Sequence, residues 1–180
     1  MRIILIVALF IVGCQTPIPK PMAQFALEYP NPEYTIFEGS CPYQFEYNTQ
    51  VNTQTLSACG VTLSYPKLKA KLYLTYFDLT QTSLDTLLMD FDKRIKMFGK
   101  EAALVDESSF ENNAGQVLGS CITLVGNTPS NLHFFGTDAQ QHFITGSLLF
   151  EASPNYDSLA PAINYVKSDV QTLLETLRWN

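Results

Sequence analysis

The sequence predicts an α+β domain, an antiparallel sheet of about five to seven strands with two helices packed on it. Three observations carry that expectation. Between residues 34 and 150, short runs of alternating apolar and polar residues recur with turn-forming residues between them. Two longer stretches, 84–98 and 159–177, repeat their apolar residues at helical spacing. Hydrophobic residues make up 46% and aromatic residues 12%, the composition of a packed globule and not of a disordered tail.

Taken in order, Tyr43, Phe45 and Tyr47 alternate behind the turn Gly39-Ser40-Cys41-Pro42 and form the first clear strand. Residues 48–58 are polar and read as a loop. Val61, Leu63 and Tyr65 start another strand, which Pro66 interrupts, the mark of an edge or a bulge. Leu68, Ala70, Leu72, Leu74 and Tyr76 then fall on one face of a long strand. Lys67, Lys69, Lys71 and Tyr73 fall on its other face, because side chains alternate with period two. In the first helix, Ser83 caps the start, Asp85 sits in the first turn, and Gly99 ends it after Lys96. Leu84, Leu87, Leu88, Phe91, Ile95 and Phe98 make one stripe, so this helix lies half-buried on a sheet.

Candidate strands at 102–105, 116–125, 132–135 and 142–150 follow with short connections, which indicates an antiparallel meander. Gly146 inside the last of these marks a bulge or a close approach. The final helix is capped by Asp157 or Ser158, with Pro161 expected in its first turn, where proline is tolerated. Its stripe is Leu159, Ala162, Ile163, Val166, Val170, Leu173, Leu174 and Leu177, and Trp179 is expected to cover the end of the core. No internal repeat is present. This element order is similar to that of the Mog1/PsbP-like sandwich.

The amino terminus has a different character. Arg2 precedes an unbroken apolar run over 3–12, closed by Gly13 and Cys14, the form of a secretory signal. As a helix that run would rise only about 15 Å, half of a ~30 Å hydrocarbon core, so an uncleaved span is not expected. Residues 11–14, Ile-Val-Gly-Cys, resemble a bacterial lipobox, in which the thiol takes a diacylglycerol and the leader is cut just before it. The alternative is an ordinary signal peptide with an incidental Cys14. The cysteine's place after a small residue at the end of the run favours the lipobox. Five of the ten prolines lie in 15–32, which reads as an extended spacer reaching up to roughly 50 Å. Phe25, Leu27 and Tyr29 alternate, which suits its last part to pack on the domain. The expected organisation is a lipoprotein signal peptide over 1–13, a lipidated Pro-rich tether over 14–32, and a single α+β domain over 33–180.

Removing the first 13 of the 180 residues leaves 167, enough for one domain with a sizeable core. The formal net charge of −6 disfavours nucleic acid and anionic lipid as ligands, since both reward clustered Lys and Arg. After lipidation, Cys41, Cys59 and Cys121 remain. Cys121 lies in an apolar run and reads as a small buried hydrophobe. Cys41 and Cys59 both neighbour turn residues, and two outcomes are open: a disulfide, or two buried thiols near each other. An oxidising compartment favours the disulfide, worth about 3 kcal/mol in the chain-entropy model.

Motifs for chemistry are scarce. There is no G-x-S-x-G elbow and no glycine-rich phosphate loop, and the carboxylates are scattered. His133 and His142 lie on the two arms of one predicted hairpin. A turn centred between Thr137 and Asp138 would face them toward each other beside Asp138, a possible His₂-carboxylate site. The plainer reading, a polar pair at a hairpin mouth, is preferred, and no metal or cofactor is expected. Lys67, Lys69 and Lys71 form a basic row in an acidic chain. Such a row suits docking of an acidic partner surface, and lysines on an edge strand equally discourage aggregation.

Six separated segments, in order, resemble the GldD gliding-motility lipoproteins of Bacteroidota. They are residues 41–47 (Cys-Pro-Tyr-Gln-Phe-Glu-Tyr), 65–76 from Tyr65-Pro66 to Tyr76, 134–138, 142–150, 157–161 and 175–179. The similarity runs with gaps from about Tyr34 to Trp179 and is weakest over 77–116. The resemblance implies a non-enzymatic accessory of the gliding machinery linked to type IX secretion, with envelope proteins as partners and no catalytic residues to carry over. It also implies pairing of Cys41 with Cys59. No acidic run follows Cys14 over 15–20, so the expected location is the periplasmic face of the outer membrane, with inner-membrane retention the alternative. The competing functional reading is a periplasmic ligand-binding or metal-dependent hydrolytic lipoprotein with a pocket near His133 and His142.

Overall fold

Strand alternation and two helical stripes build the domain in layers. The computed structural model describes residues 29–112, 114 and 116–180. Cys14, the leader and most of the proline-rich segment lie outside the described residues. In chain order, the elements are β1 (Tyr34–Phe37), β2 (Tyr43–Asn48), β3 (Asn52–Thr55), β4 (Val61–Tyr65), β5 (Ala70–Asp78) and α1 (Leu84–Phe98). There follow β6 (Ala102–Asn112), β7 (Val117–Gly126), β8 (Leu132–Thr137), β9 (His142–Phe150), α2 (Tyr156–Thr176) and β10 (Arg178–Trp179). Seven strands form an antiparallel sheet in the order β3-β4-β5-β9-β8-β7-β6, and β1-β2-β10 form a small second one. The α+β class and the two sheet-packed helices are as the sequence predicts.

The large sheet has two differently covered faces. Val61, Leu63, Leu72, Leu74, Phe134, Ile144 and Leu148 point to one face. There they pack with Ile163, Val166, Val170 and Leu173 of α2 and with Phe37, Tyr43 and Phe45 of the small sheet. Each such aliphatic burial stabilises by about 1.5–3 kcal/mol. On the opposite face α1 lays Phe91 against Ile122 and Leu124, and the Phe91 and Phe135 rings meet edge-on at 5.1 Å. Ser83 caps α1 by accepting from the Thr86 amide, as its sequence implies.

Gly146 is the close approach that its place in a strand suggests. It pairs with Phe134 across β8 and β9, and a Cβ there would run into the Phe134 ring and come within 3.0 Å of the Tyr73 carbonyl oxygen. The aromatic ring thus fills the space that the missing side chain leaves.

Several expectations are corrected. The long strand expected from residue 68 begins at Ala70, because Pro66–Leu68 forms a 3₁₀ turn and Lys69 adopts a left-handed φ of 49°. Pro66 therefore ends one strand and opens a tight hairpin instead of interrupting a longer strand. The expected loop over 48–58 contains β3, whose Asn-Thr-Gln-Thr is exposed on both faces and so carries no apolar alternation. The strand expected over 102–105 runs on to Asn112. Asn155, not Asp157 or Ser158, caps α2, which places Pro161 in the second turn and forgoes one backbone hydrogen bond there. Trp179 does close the end of the core, as part of a strand paired with β2.

Candidate functional site

A buried carboxylate marks the region where the incoming chain meets α2. Asp169 occupies the apolar stripe, three residues after Val166 and four before Leu173, and is 5% exposed. A carboxylate is tolerated there only when hydrogen-bonded. Tyr34 Oη donates to its Oδ1 at 2.8 Å, and Asn48 Nδ2 donates to Oδ2 at 3.1 Å and Oδ1 at 3.3 Å. The Tyr65 hydroxyl also interacts with the carboxylate. Burial raises the Asp169 pKa, while the bonds from Tyr34, Asn48 and Tyr65 act in the opposite direction. Burial likewise pushes Tyr34 up to about 12 and Tyr65 well above the usual phenol range, so both hydroxyls stay protonated donors. The cluster ties β1, β2 and β4 to α2.

The same cluster fastens the entering segment. Tyr165 Oη accepts from Asn48 Nδ2 at 2.9 Å and donates to the Pro30 carbonyl at 3.2 Å. The Tyr29 ring stacks on the Tyr165 ring with centroids 5.0 Å apart. The Thr49 amide donates to the Glu33 carbonyl at 2.8 Å. A shallow groove beside this contact is lined by Tyr29, Pro30, Gln50, Tyr65, Lys67 and Leu68. The tip of the β4–β5 hairpin, which carries the lysines, therefore stands next to the point where the chain enters the domain.

The three lysines do not form one row on one strand. Lys67 lies in the 3₁₀ turn with Nζ 3.4 Å from Gln50 Oε1, Lys69 is at the left-handed hairpin corner, and Lys71 is in β5. Lys71 pairs with exposed Glu151 at 3.6 Å, a contact worth little at such a wet site. β5 is flanked by β4 and β9, so the lysines do not guard a sheet edge. They cluster at a hairpin tip.

The two histidines are not brought together. The β8–β9 register sets His133 opposite Ser147, while His142 lies opposite Asp78 on β5. His133 points toward α1: its ring stacks on Phe98 at 5.3 Å, with Nδ1 2.9 Å from Ser147 Oγ and Nε2 3.2 Å from the Ser130 carbonyl. His142 points to the other face of the sheet, stacked on Trp179 at 5.0 Å, with Nδ1 2.8 Å from Tyr76 Oη. A sheet separates the two rings, so they do not line one common pocket as the alternative reading requires. Asp138 spends its Oδ1 on the amides of Gln140, Gln141 and His142. Among the described residues no three His, Cys, Asp or Glu side chains cluster as metal ligands would.

Cys41 and Cys59 are joined in a disulfide with Cα atoms 5.5 Å apart, and Tyr43 Oη donates to the Cys59 carbonyl at 2.6 Å beside it. Cys121 is a free buried thiol, and burial raises its pKa to about 11, as fits a core residue. Cys14 lies outside the described residues. The Asp169 cluster escaped the sequence reading, although one signal for it exists. Asp169 is the carboxylate at a stripe position of α2, and a charge there requires partners.

No helix among the described residues is long and apolar enough to cross a membrane. Fold and site together define an α+β domain whose entering segment is fastened to its own core by a tyrosine–carboxylate cluster. The chain belongs to the family of the gliding motility lipoprotein GldD, whose family model matches residues 14–179. No curated protein matches it.

Proposed function

We propose that this motility-associated lipoprotein is a non-enzymatic accessory of the gliding-motility and type IX secretion machinery. Its leader, 1–13, is removed and Cys14 takes the lipid; 14–32 is the tether, and 33–180 is the domain that contacts other envelope proteins. We place it at the outer membrane, facing the periplasm. The family match over most of the chain supports the motility assignment, and its start at residue 14 coincides with the lipobox cysteine. The contact surface we assign is the hairpin tip with Lys67, Lys69 and Lys71. The observation that carries it is that Lys67 of this tip lines one groove with Tyr29 and Pro30, where the tether enters. An anchored domain presents that region close to whatever shares its membrane, and three amines there suit an acidic protein surface.

Affinity purification from membranes tests this directly. Wild type is expected to recover a motility or secretion component, and Lys67→Glu/Lys69→Glu/Lys71→Glu to lose it while melting at an unchanged temperature. Equal recovery by both proteins, or recovery of no such component by wild type, overturns the assignment. Cys14→Ala is expected to leave the protein unlipidated, as mass spectrometry of the membrane fraction would show.

A further inference from the structure

The two edges of the large sheet are built differently. One edge, β3, is four residues long and polar throughout. The other, β6, is 11 residues long, pairs with β7 on one side only, and has no strand on its outer side among the described residues. Natural edges are usually blunted against like edges by shortness, charged side chains (lysine above all), proline or a bulge. β6 contains neither lysine nor proline, and its one register shift lies at its start, between Ala102 and Leu104. It also exposes Leu104 and Val105, at 60% and 49%. This edge is open to pairing.

Its charges select the partner. Asp106 is paired with Lys167 at 2.9 Å, whereas Glu107 and Glu111 have no basic neighbour among the described residues. Val105, Glu107, Ser109 and Glu111 share one face of β6 by alternation. Ser120 Oγ donates to Glu107 Oε1 at 2.9 Å and holds that carboxylate in place. A second copy of this chain is the weaker occupant, because its β6 contains no Lys or Arg to meet Glu107 and Glu111. Antiparallel self-pairing centred on Ser109 sets Glu107 against the second copy's Glu111, and centring between Ser108 and Ser109 sets Asp106 against Glu111. Like charges directly opposite each other destabilise a strand pair.

We propose that β6 accepts an extended basic segment of another envelope protein by strand addition, continuing the antiparallel sheet. In that register, basic residues four apart face Glu111 and then Glu107, and an apolar residue two positions further on meets Val105. Main-chain hydrogen bonds along the edge would supply affinity, and the two carboxylates the register. This surface is distinct from the lysine hairpin, so either assignment can fail alone.

The test uses the full-length protein in detergent and a synthetic peptide of about ten residues, the length of β6. The peptide alternates Thr and Val, with lysines four apart and a leucine two residues after the second. Binding is followed by fluorescence anisotropy and by amide hydrogen exchange. The peptide is expected to slow exchange within 102–112 and to bind about tenfold or more tightly than its glutamate-for-lysine counterpart. Glu107→Lys/Glu111→Lys is expected to reverse that preference. The inference is overturned if the β6 amides that face away from β7 are already protected in the free protein, if the peptide binds without protecting them, or if charge reversal leaves the preference unchanged.

Discussion

Tyr34 and Asp169 are 135 residues apart in sequence, and the phenol of one donates to the carboxylate of the other at 2.8 Å. This bond links the first strand to the last helix, and Asn48 and Tyr65 complete the set around the same carboxylate. Asp169→Ala would leave buried donors without an acceptor. A loss of about 3 kcal/mol is expected, read from urea denaturation.

Asp169 also gives stability a distinctive pH dependence. Its folded pKa is raised by burial, so as pH rises above the ordinary 3.8 the unfolded chain ionises before the folded one. The contribution of this group is thus full at lower pH and lost as pH rises through the folded pKa. Asp169→Asn should flatten that part of the stability curve at a cost smaller than that of Asp169→Ala, because its amide oxygen still accepts from Tyr34 while its amide nitrogen meets the Asn48 donor.

His133 acts with the opposite sign. Burial lowers its pKa from 6.5 to about 4, so the unfolded chain takes up the proton first as pH falls. Its contribution is present above 6.5 and is lost as pH drops toward about 4, amounting to roughly 3 kcal/mol. His133 ring resonances in NMR should stay unmoved down to about pH 5. A His133→Phe variant should lack the corresponding acid slope.

The disulfide joins residues 18 apart, from the turn before β2 to the turn before β4. Cys41→Ser/Cys59→Ser should lose about 3 kcal/mol, and reductant should lower the melting temperature of wild type but not of the variant.

Lys69 separates conformational strain from docking. Its left-handed φ of 49° suits glycine better than lysine. Lys69→Gly should therefore raise stability by roughly 0.5–1 kcal/mol and weaken recovery of the acidic partner. Increased stability with undiminished recovery would remove Lys69 from the contact surface.

Fold class was legible because its signals are local. The α1 stripe, the Ser83 cap and the meander from β7 to β9 each follow from spacings within a few residues. Gly146 also announced itself, since a glycine amid β-branched and aromatic neighbours has few other reasons to be there. Each misreading has its own physical cause. β3 is exposed on both faces and has no buried side to impose alternation. The β4–β5 turn rests on Lys69 adopting a conformation that residue type does not favour. His133 and His142 looked like neighbours because they flank one turn, but they are nine positions apart, and an odd step along paired antiparallel strands can place residues on opposite faces. The Asp169 cluster joins four elements, and only the charge at a stripe position hinted at it.

The pairing of β10 with β2 bears on when the domain can be completed. β2 receives β1 from just upstream, while its other neighbour arrives more than 120 residues later, after α2. Asn180 then bonds the Pro42 and Cys41 carbonyls beside it. Until those last residues are in place, Tyr43 and Phe45 lack part of their cover. Such non-local closure is slow relative to local hairpins. A chain lacking residues 178–180 would leave that aromatic strand partly uncovered, so trimming them should raise its sensitivity to protease and lower its melting temperature.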